Sequence, residues 1–120
     1  MSDAAPAYLV FGAYGGIGSS LARILADRGA RLARSAAATY GARGVRVNAV
    51  APGLVDTPLA ARITRNDKAR ERSEAMHALG RIGTPDDVAE AIDWLLSDRT
   101  SWVTGQVLGV DGGLGRVRSD

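Results

Sequence analysis

The segment Tyr8-Leu9-Val10-Phe11-Gly12-Ala13-Tyr14-Gly15-Gly16-Ile17-Gly18-Ser19-Ser20 passes from apolar to glycine-rich to polar within a short span. Tyr8 to Phe11 is β-branched and aromatic and ends at Gly12, the pattern of a buried strand entering a tight turn. Beyond the glycines, Ile17, Leu21, Ile24 and Leu25 recur at three- and four-residue intervals up to Arg28-Gly29. That spacing predicts an amphipathic helix stopped by glycine. Strand, glycine turn and helix in this order leave unpaired N–H groups and the positive end of a helix facing one point, which suits an anion. Gly12 permits the turn, the missing Cβ at Gly16 lets a diphosphate approach the backbone, and Gly18 lets the helix pack on the strand. A glycine turn without a ligand is the alternative reading. A P-loop is excluded, because no lysine follows the glycines.

Working outward, Leu32 to Tyr40 is alanine-rich and predicted helical, closed by Gly41. Gly44-Val45-Arg46-Val47-Asn48-Ala49-Val50-Ala51 alternates valines as a strand does and stops at Pro52-Gly53. From Leu59 to about Leu79 the chain is polar and helical, the composition of a surface flap. Thr84-Pro85-Asp86-Asp87 combines an N-cap hydroxyl, a first-turn proline and carboxylates near the positive helix end. Val88, Ile92, Leu95 and Leu96 supply the buried stripe of the helix that follows. Gly105 to Gly113 reads as a last strand and turn. The expected fold is α/β, one domain over residues 1–120, with strands at Tyr8–Phe11, Val45–Val50 and Val107–Val110.

Composition removes several classes of function. The chain has no cysteine and a single histidine, His77, which excludes disulfide frameworks, thiolate zinc sites and histidine-rich metal centres, so no metal is expected. Fifteen Lys+Arg against thirteen Asp+Glu gives a formal charge of +2, but the arginines are scattered and aromatics are 5%, so no nucleic-acid partner is expected. No apolar run approaches the ~18 residues of a membrane span, and Met1-Ser2-Asp3 lacks a basic leader. The expected compartment is the cytoplasm. Trp94 and Trp102, with Val107, Leu108 and Val110, are expected to pack the last helix on the last strand or to form a subunit contact. His77 is expected to be solvated on the flap helix, and Asp86 and Asp87 to act as caps.

Gly12-Ala13-Tyr14-Gly15-Gly16-Ile17-Gly18 resembles the cofactor loop of the short-chain dehydrogenase/reductase family, with Phe11 where that family usually has threonine. Arg46 to Pro58 resembles its sixth strand and the Pro-Gly turn that follows, and Val103 to Gly113 resembles its C-terminal strand. The resemblance runs from about Tyr8 to Leu114 and implies a truncated Rossmann-like parallel sheet of about three strands with flanking helices. It implies an oxidoreductase moving hydride between NAD or NADP and a carbonyl/alcohol pair. The loop residues Gly12, Tyr14, Gly15, Gly16, Ile17 and Gly18 would hold the diphosphate. Pro52, Gly53, Val55 and Thr57 would hold the nicotinamide end.

The resemblance stops in the middle of the family pattern. Residues up to about Leu32 match its first strand and helix, and residues from about Ala33 match the end of its fifth helix. Strands two to five have no counterpart, nor do the catalytic serine and the Tyr-x-x-x-Lys pair: Lys68 is the only lysine and no tyrosine lies four residues before it. Tyr40, with Ser35 before it and Arg43 after it, is a weak catalytic candidate aligned with a helix-end tyrosine. Ala36, Ala37 and Ala38 occupy the region where an acidic residue reads the ribose, and Arg31 and Arg34 read as a solvated helix face. Weak or absent turnover is therefore expected, with a non-catalytic dinucleotide-binding or oligomerising remnant as the alternative. In the family the first strand does not neighbour the sixth, so either the sheet closes across the gap or strands are exchanged between subunits. A homodimer or higher oligomer is expected, with contacts near Trp94, Trp102, Val107 and Leu108.

Overall fold

The structure, a computed structural model, describes the backbone of residues 9–10 and 19–114 and the side chains from Asp27 onward. In chain order it contains β1 (Leu9–Val10), α1 (Ser19–Tyr40), β2 (Ala49–Pro52), α2 (Ala61–Thr64), α3 (Asp67–Met76), α4 (Pro85–Leu96) and β3 (Val107–Val110). The three strands form one parallel sheet in the order β1-β2-β3. Leu9 pairs with Ala49, and Ala49 to Pro52 pair with Val107 to Val110. Of the two arrangements the sequence left open, the sheet closes across the gap within one chain. Tyr8 and Phe11 lie outside the described residues.

β2 is the central strand, and Val47, Asn48, Ala49 and Val50 are all buried, as a parallel strand covered on both faces requires. The ladder begins at Ala49 and not at the expected Val45. The residues before it are held by a mix of backbone and side-chain bonds, with Val45 N–H donating to Tyr40 O and Gly105 N–H to Val47 O. Val47 N–H donates to Thr104 Oγ1 at 3.0 Å, and Asn48 donates to Val103 O and accepts from Gln106 N–H. Pro52, which lacks an N–H, occupies the last position of β2, where the strand ends.

Gly29 does not stop the first helix: α1 runs unbroken from Ser19 to Tyr40. Gly29, Ala33 and Ala37 fall four residues apart on one face and all three are buried, with Ala33 and Ala37 packed in a cluster with Val47 and Ala49. These small side chains let the helix axis lie close to the sheet. Glycine in a helix interior costs only about 1 kcal/mol relative to alanine, which tertiary packing overrides. Leu32, Arg31 and Arg34 are exposed on the other side of the helix.

The α4 start is as expected. Thr84 Oγ1 accepts from Asp87 N–H, the Asp87 carboxylate accepts from Thr84 N–H at 2.7 Å, and Pro85 opens the first turn. At the other end, the Arg46 guanidinium donates to Leu95 O at 3.0 Å, Ser97 O at 3.3 Å, Val103 O at 3.2 Å and Thr100 Oγ1 at 3.2 Å. A cation thus satisfies the carbonyls that the helix end leaves unpaired. Leu95 is buried and Val88 and Ile92 half-buried, whereas Leu96, expected in the stripe, is exposed.

The tryptophans do not pack α4 on β3 within the chain. Trp102 is 98% exposed, on the loop that leaves the 3₁₀ turn Asp98–Thr100, and Trp94 is exposed on α4. Along β3, an edge strand, exposure alternates, so that Val107 faces outward while Leu108 and Val110 are half-buried. The flap consists of a 3₁₀ turn at Pro58–Ala60, α2 and α3. Asn66 caps α3 by accepting from Ala69 N–H, and α3 buries none of its own side chains. Among the described residues no helix is long and apolar enough to cross a membrane.

Candidate functional site

The backbone that follows β2 is bonded to β3 and to Gly83. Gly53 N–H donates to Val110 O at 3.1 Å, Gly83 N–H donates to Leu54 O at 2.8 Å, and Asp56 N–H donates to Gly83 O at 2.9 Å. Val55 and Gly83 therefore form a parallel bridge in which Gly83 engages both neighbours of Val55. The N–H and C=O of Val55 itself face away from Gly83, as one donor and one acceptor side by side. Two residues on, Thr57 Oγ1 accepts from Ala60 N–H at 3.3 Å and keeps its hydroxyl proton for another acceptor.

Gly53 is required by close approach. A Cβ there would lie 2.8 Å from His77 Nε2 and 3.0 Å from Asp111 Cα. His77, expected to be solvated, is instead 4% exposed. Its Nδ1 lies 2.6 Å from Ser73 O and its Nε2 accepts from Leu54 N–H at 3.3 Å. These partners assign the neutral tautomer protonated at Nδ1. The chain just past α3 turns inward because α3 ends at Met76, His77 adopts an extended backbone, and Leu79 N–H bonds to Gly112 O at 3.0 Å.

Beside this turn lies a cleft of about 420 Å³, lined by His77, Leu79, Arg81, Asp87, Val110 and Gly112 among others. Its charged groups are paired: Arg81 donates to both oxygens of Asp87, at 2.8 Å and 3.2 Å. That bond, with the Thr84 N–H, holds the Asp87 carboxyl far below the ordinary carboxylate range, and Asp87 in turn raises Arg81. The pair is a structural clamp on the start of α4. Among the described residues no group of three or more His, Asp or Glu is placed to hold a metal ion.

The structure brings Pro52, Gly53, Val55 and Thr57 together in the turn after β2. Gly12, Tyr14, Gly15, Gly16, Ile17 and Gly18 lie outside the described residues, but β1 is parallel to β2, so the chain leaves Val10 at the same sheet edge as it leaves Pro52. Tyr40 is not brought there. It ends α1, is exposed, and lies on the approach to the beginning of β2, at the opposite end from Pro52. The residues that sequence reasoning missed are His77 and Arg46, whose partners are distant in the chain.

The chain belongs to the short-chain dehydrogenase/reductase family. A family profile described as enoyl-(acyl carrier protein) reductase matches residues 30–115. The chain is 47% identical over 104 residues to the cis-4-hydroxycyclohexanecarboxylate dehydrogenase of Sinomonas cyclohexanicum, covering 87% of this chain and 41% of that protein. Among solved structures it resembles an oxidoreductase of the short-chain dehydrogenase/reductase family from Burkholderia thailandensis, with a TM-score of 0.75 and 34% identity over 92% of this chain and 45% of that one. It shares the fold of 4-hydroxyisoleucine dehydrogenase complexed with NADH, with a TM-score of 0.80 at 23% identity over 92% of this chain and 48% of that one. The chain spans less than half the length of each of these proteins.

Proposed function

We propose that this chain binds NAD or NADP at the C-terminal edge of its parallel sheet, as the dinucleotide-binding part of a short-chain-type oxidoreductase acting on a carbonyl/alcohol pair. The observation that carries the reading is Val55, whose backbone N–H and C=O face away from the Gly83 bridge beside the Thr57 hydroxyl. A nicotinamide carboxamide has the complementary acceptor and donor, so the donor set of this turn fits the cofactor. The crevice outside the carboxyl ends of parallel strands is where α/β sheets bind such ligands. Residues Gly12–Gly18, which follow β1 in the sequence, would supply the diphosphate contacts. When bound, NAD(P)H supplies the hydride.

These 120 residues hold no Tyr-x-x-x-Lys pair. Turnover by this chain alone is therefore far below that of a family member carrying the full acid/base set, which typically contributes ~10²–10⁴-fold. The test is a fluorescence titration with NADH and NADPH followed by a carbonyl-reduction assay on the same sample. Binding with little turnover supports the reading, and absence of binding contradicts it.

A second reading, a non-catalytic remnant that assembles with copies of itself, is favoured by the exposure of Trp102, Trp94 and Val107, the last on β3. Exposed tryptophans and exposed strand edges are normally covered in soluble proteins. With Leu108 these residues are the contact we assign to a homodimer. The cysteine-free composition supports a cytoplasmic setting.

A further inference from the structure

α3 buries no side chain, so no apolar face of its own holds it against the rest of the molecule. Two polar contacts reach from it toward the turn after β2. Arg70 Nη1 approaches Asp56 at 3.8 Å with both side chains well exposed, a contact that solvent screens. His77, just past the helix, is buried and bridges Ser73 O to Leu54 N–H. The second is the structural tie. Low local dielectric strengthens a buried bond, and losing its acceptor would strand a buried N–H.

Backbone bonds also hold the turn around Val55: Gly53 on Val110, Leu54 and Asp56 on Gly83. His77 Nε2 bonds this backbone at Leu54 N–H. Gly53 has no Cβ, and the ring approaches through the space a Cβ would fill. The Leu54 N–H belongs to the Gly53–Leu54 peptide and the Val55 N–H to the next one, so anchoring the first limits the Leu54 backbone rotation that sets the direction of the second.

We propose that His77 is a positioning residue for the dinucleotide site: its Nδ1-protonated imidazole couples the C-terminal end of α3 to the Leu54 peptide and thereby sets the orientation of the Val55 backbone pair. This rests on the assignment of that pair to the nicotinamide end. Movement of the flap is transmitted to the cofactor turn through one ring.

The test uses the full chain and NADH. Because His77 is the only histidine, its ring nitrogens are the only imidazole signals in a ¹⁵N spectrum. Wild type should show a bare Nε2 and a protonated Nδ1, and saturating NADH should shift the Nε2 resonance. His77→Phe, which removes the acceptor, should weaken NADH binding by about 10-fold. His77→Gln, which offers Oε1 to the Leu54 N–H, should restore affinity to within ~3-fold of wild type. An Nε2 signal unmoved by saturating NADH, or equal affinities of the wild type and the folded Phe variant, overturns the coupling and leaves the binding site standing. Failure of wild type to bind NADH overturns the functional reading and this inference together.

Discussion

Val55 and Gly83 form a bridge that uses both polar groups of the glycine and neither of the valine. The bridge fixes the backbone on either side of Val55, and among the described residues no bond is made by the Val55 N–H or C=O. A backbone recognition element of this kind depends on the groups behind it, and those groups give the first prediction.

Gly53→Ala should destabilise the chain by about 1–3 kcal/mol, the usual cost of overpacking. The added Cβ meets His77 Nε2 at 2.8 Å and the backbone of Asp111 at 3.0 Å, and neither is the loose end of a flexible side chain. Urea denaturation of the two proteins measures it, and equal midpoints would mean that the turn and His77 move apart freely.

Arg46→Ala should cost about 2 kcal/mol, because the carbonyls of Leu95, Ser97 and Val103 lose a charged donor at once. Arg46→Lys should recover less than half of that loss, since an ammonium is a single point and the guanidinium is a fork. Thermal unfolding of the three proteins checks both statements.

Asp87→Asn isolates the clamp at the start of α4. The folded carboxyl is held far below its unfolded value by Arg81 and Thr84. A depressed folded pKa contributes stability that is complete above the unfolded pKa, about 4, and drains away as the pH falls toward the folded one. Wild type should exceed the variant in urea midpoint at pH 7, and the gap should narrow steadily below pH ~4. A gap independent of pH would assign the difference to shape and not to charge.

These predictions also separate what was legible in the sequence from what was not. Thr84, Pro85 and Asp87 act within a few residues of one another, so the capping box was readable as a local pattern. Pro52, Gly53, Val55 and Thr57 are singled out by resemblance alone, and the direction of the Val55 groups depends on Gly83, 28 residues further along the chain. Gly29 misled, because a glycine that ends an isolated helix also permits close packing when Ala33 and Ala37 share its face. His77 and Arg46 were invisible for a different reason. Their partners lie 23 and about 50 residues away, and no local rule registers a contact that the topology creates. Trp102 was judged by its chemistry, which favours burial, while its place on a loop beyond Thr100 carries it into solvent.

Trp102→Glu tests the proposed self-association. At a fully exposed position the substitution should change monomer stability by no more than ~0.5 kcal/mol. Sedimentation at micromolar concentration should nevertheless show wild type as a dimer or larger and the variant as a monomer. A wild-type monomer, or an unchanged dimer in the variant, would remove Trp102 from any interface.

The central claim is dinucleotide binding, and the most direct measurement is the affinity of the wild type and of Gly16→Val for NADH by fluorescence titration. On the proposed reading the missing Cβ at Gly16 would admit the diphosphate, and a branched side chain there should weaken binding at least ~30-fold, about 2 kcal/mol. Saturable binding by the wild type and that loss in a folded variant is the predicted result. No binding by the wild type, or the same affinity in both proteins, would contradict it.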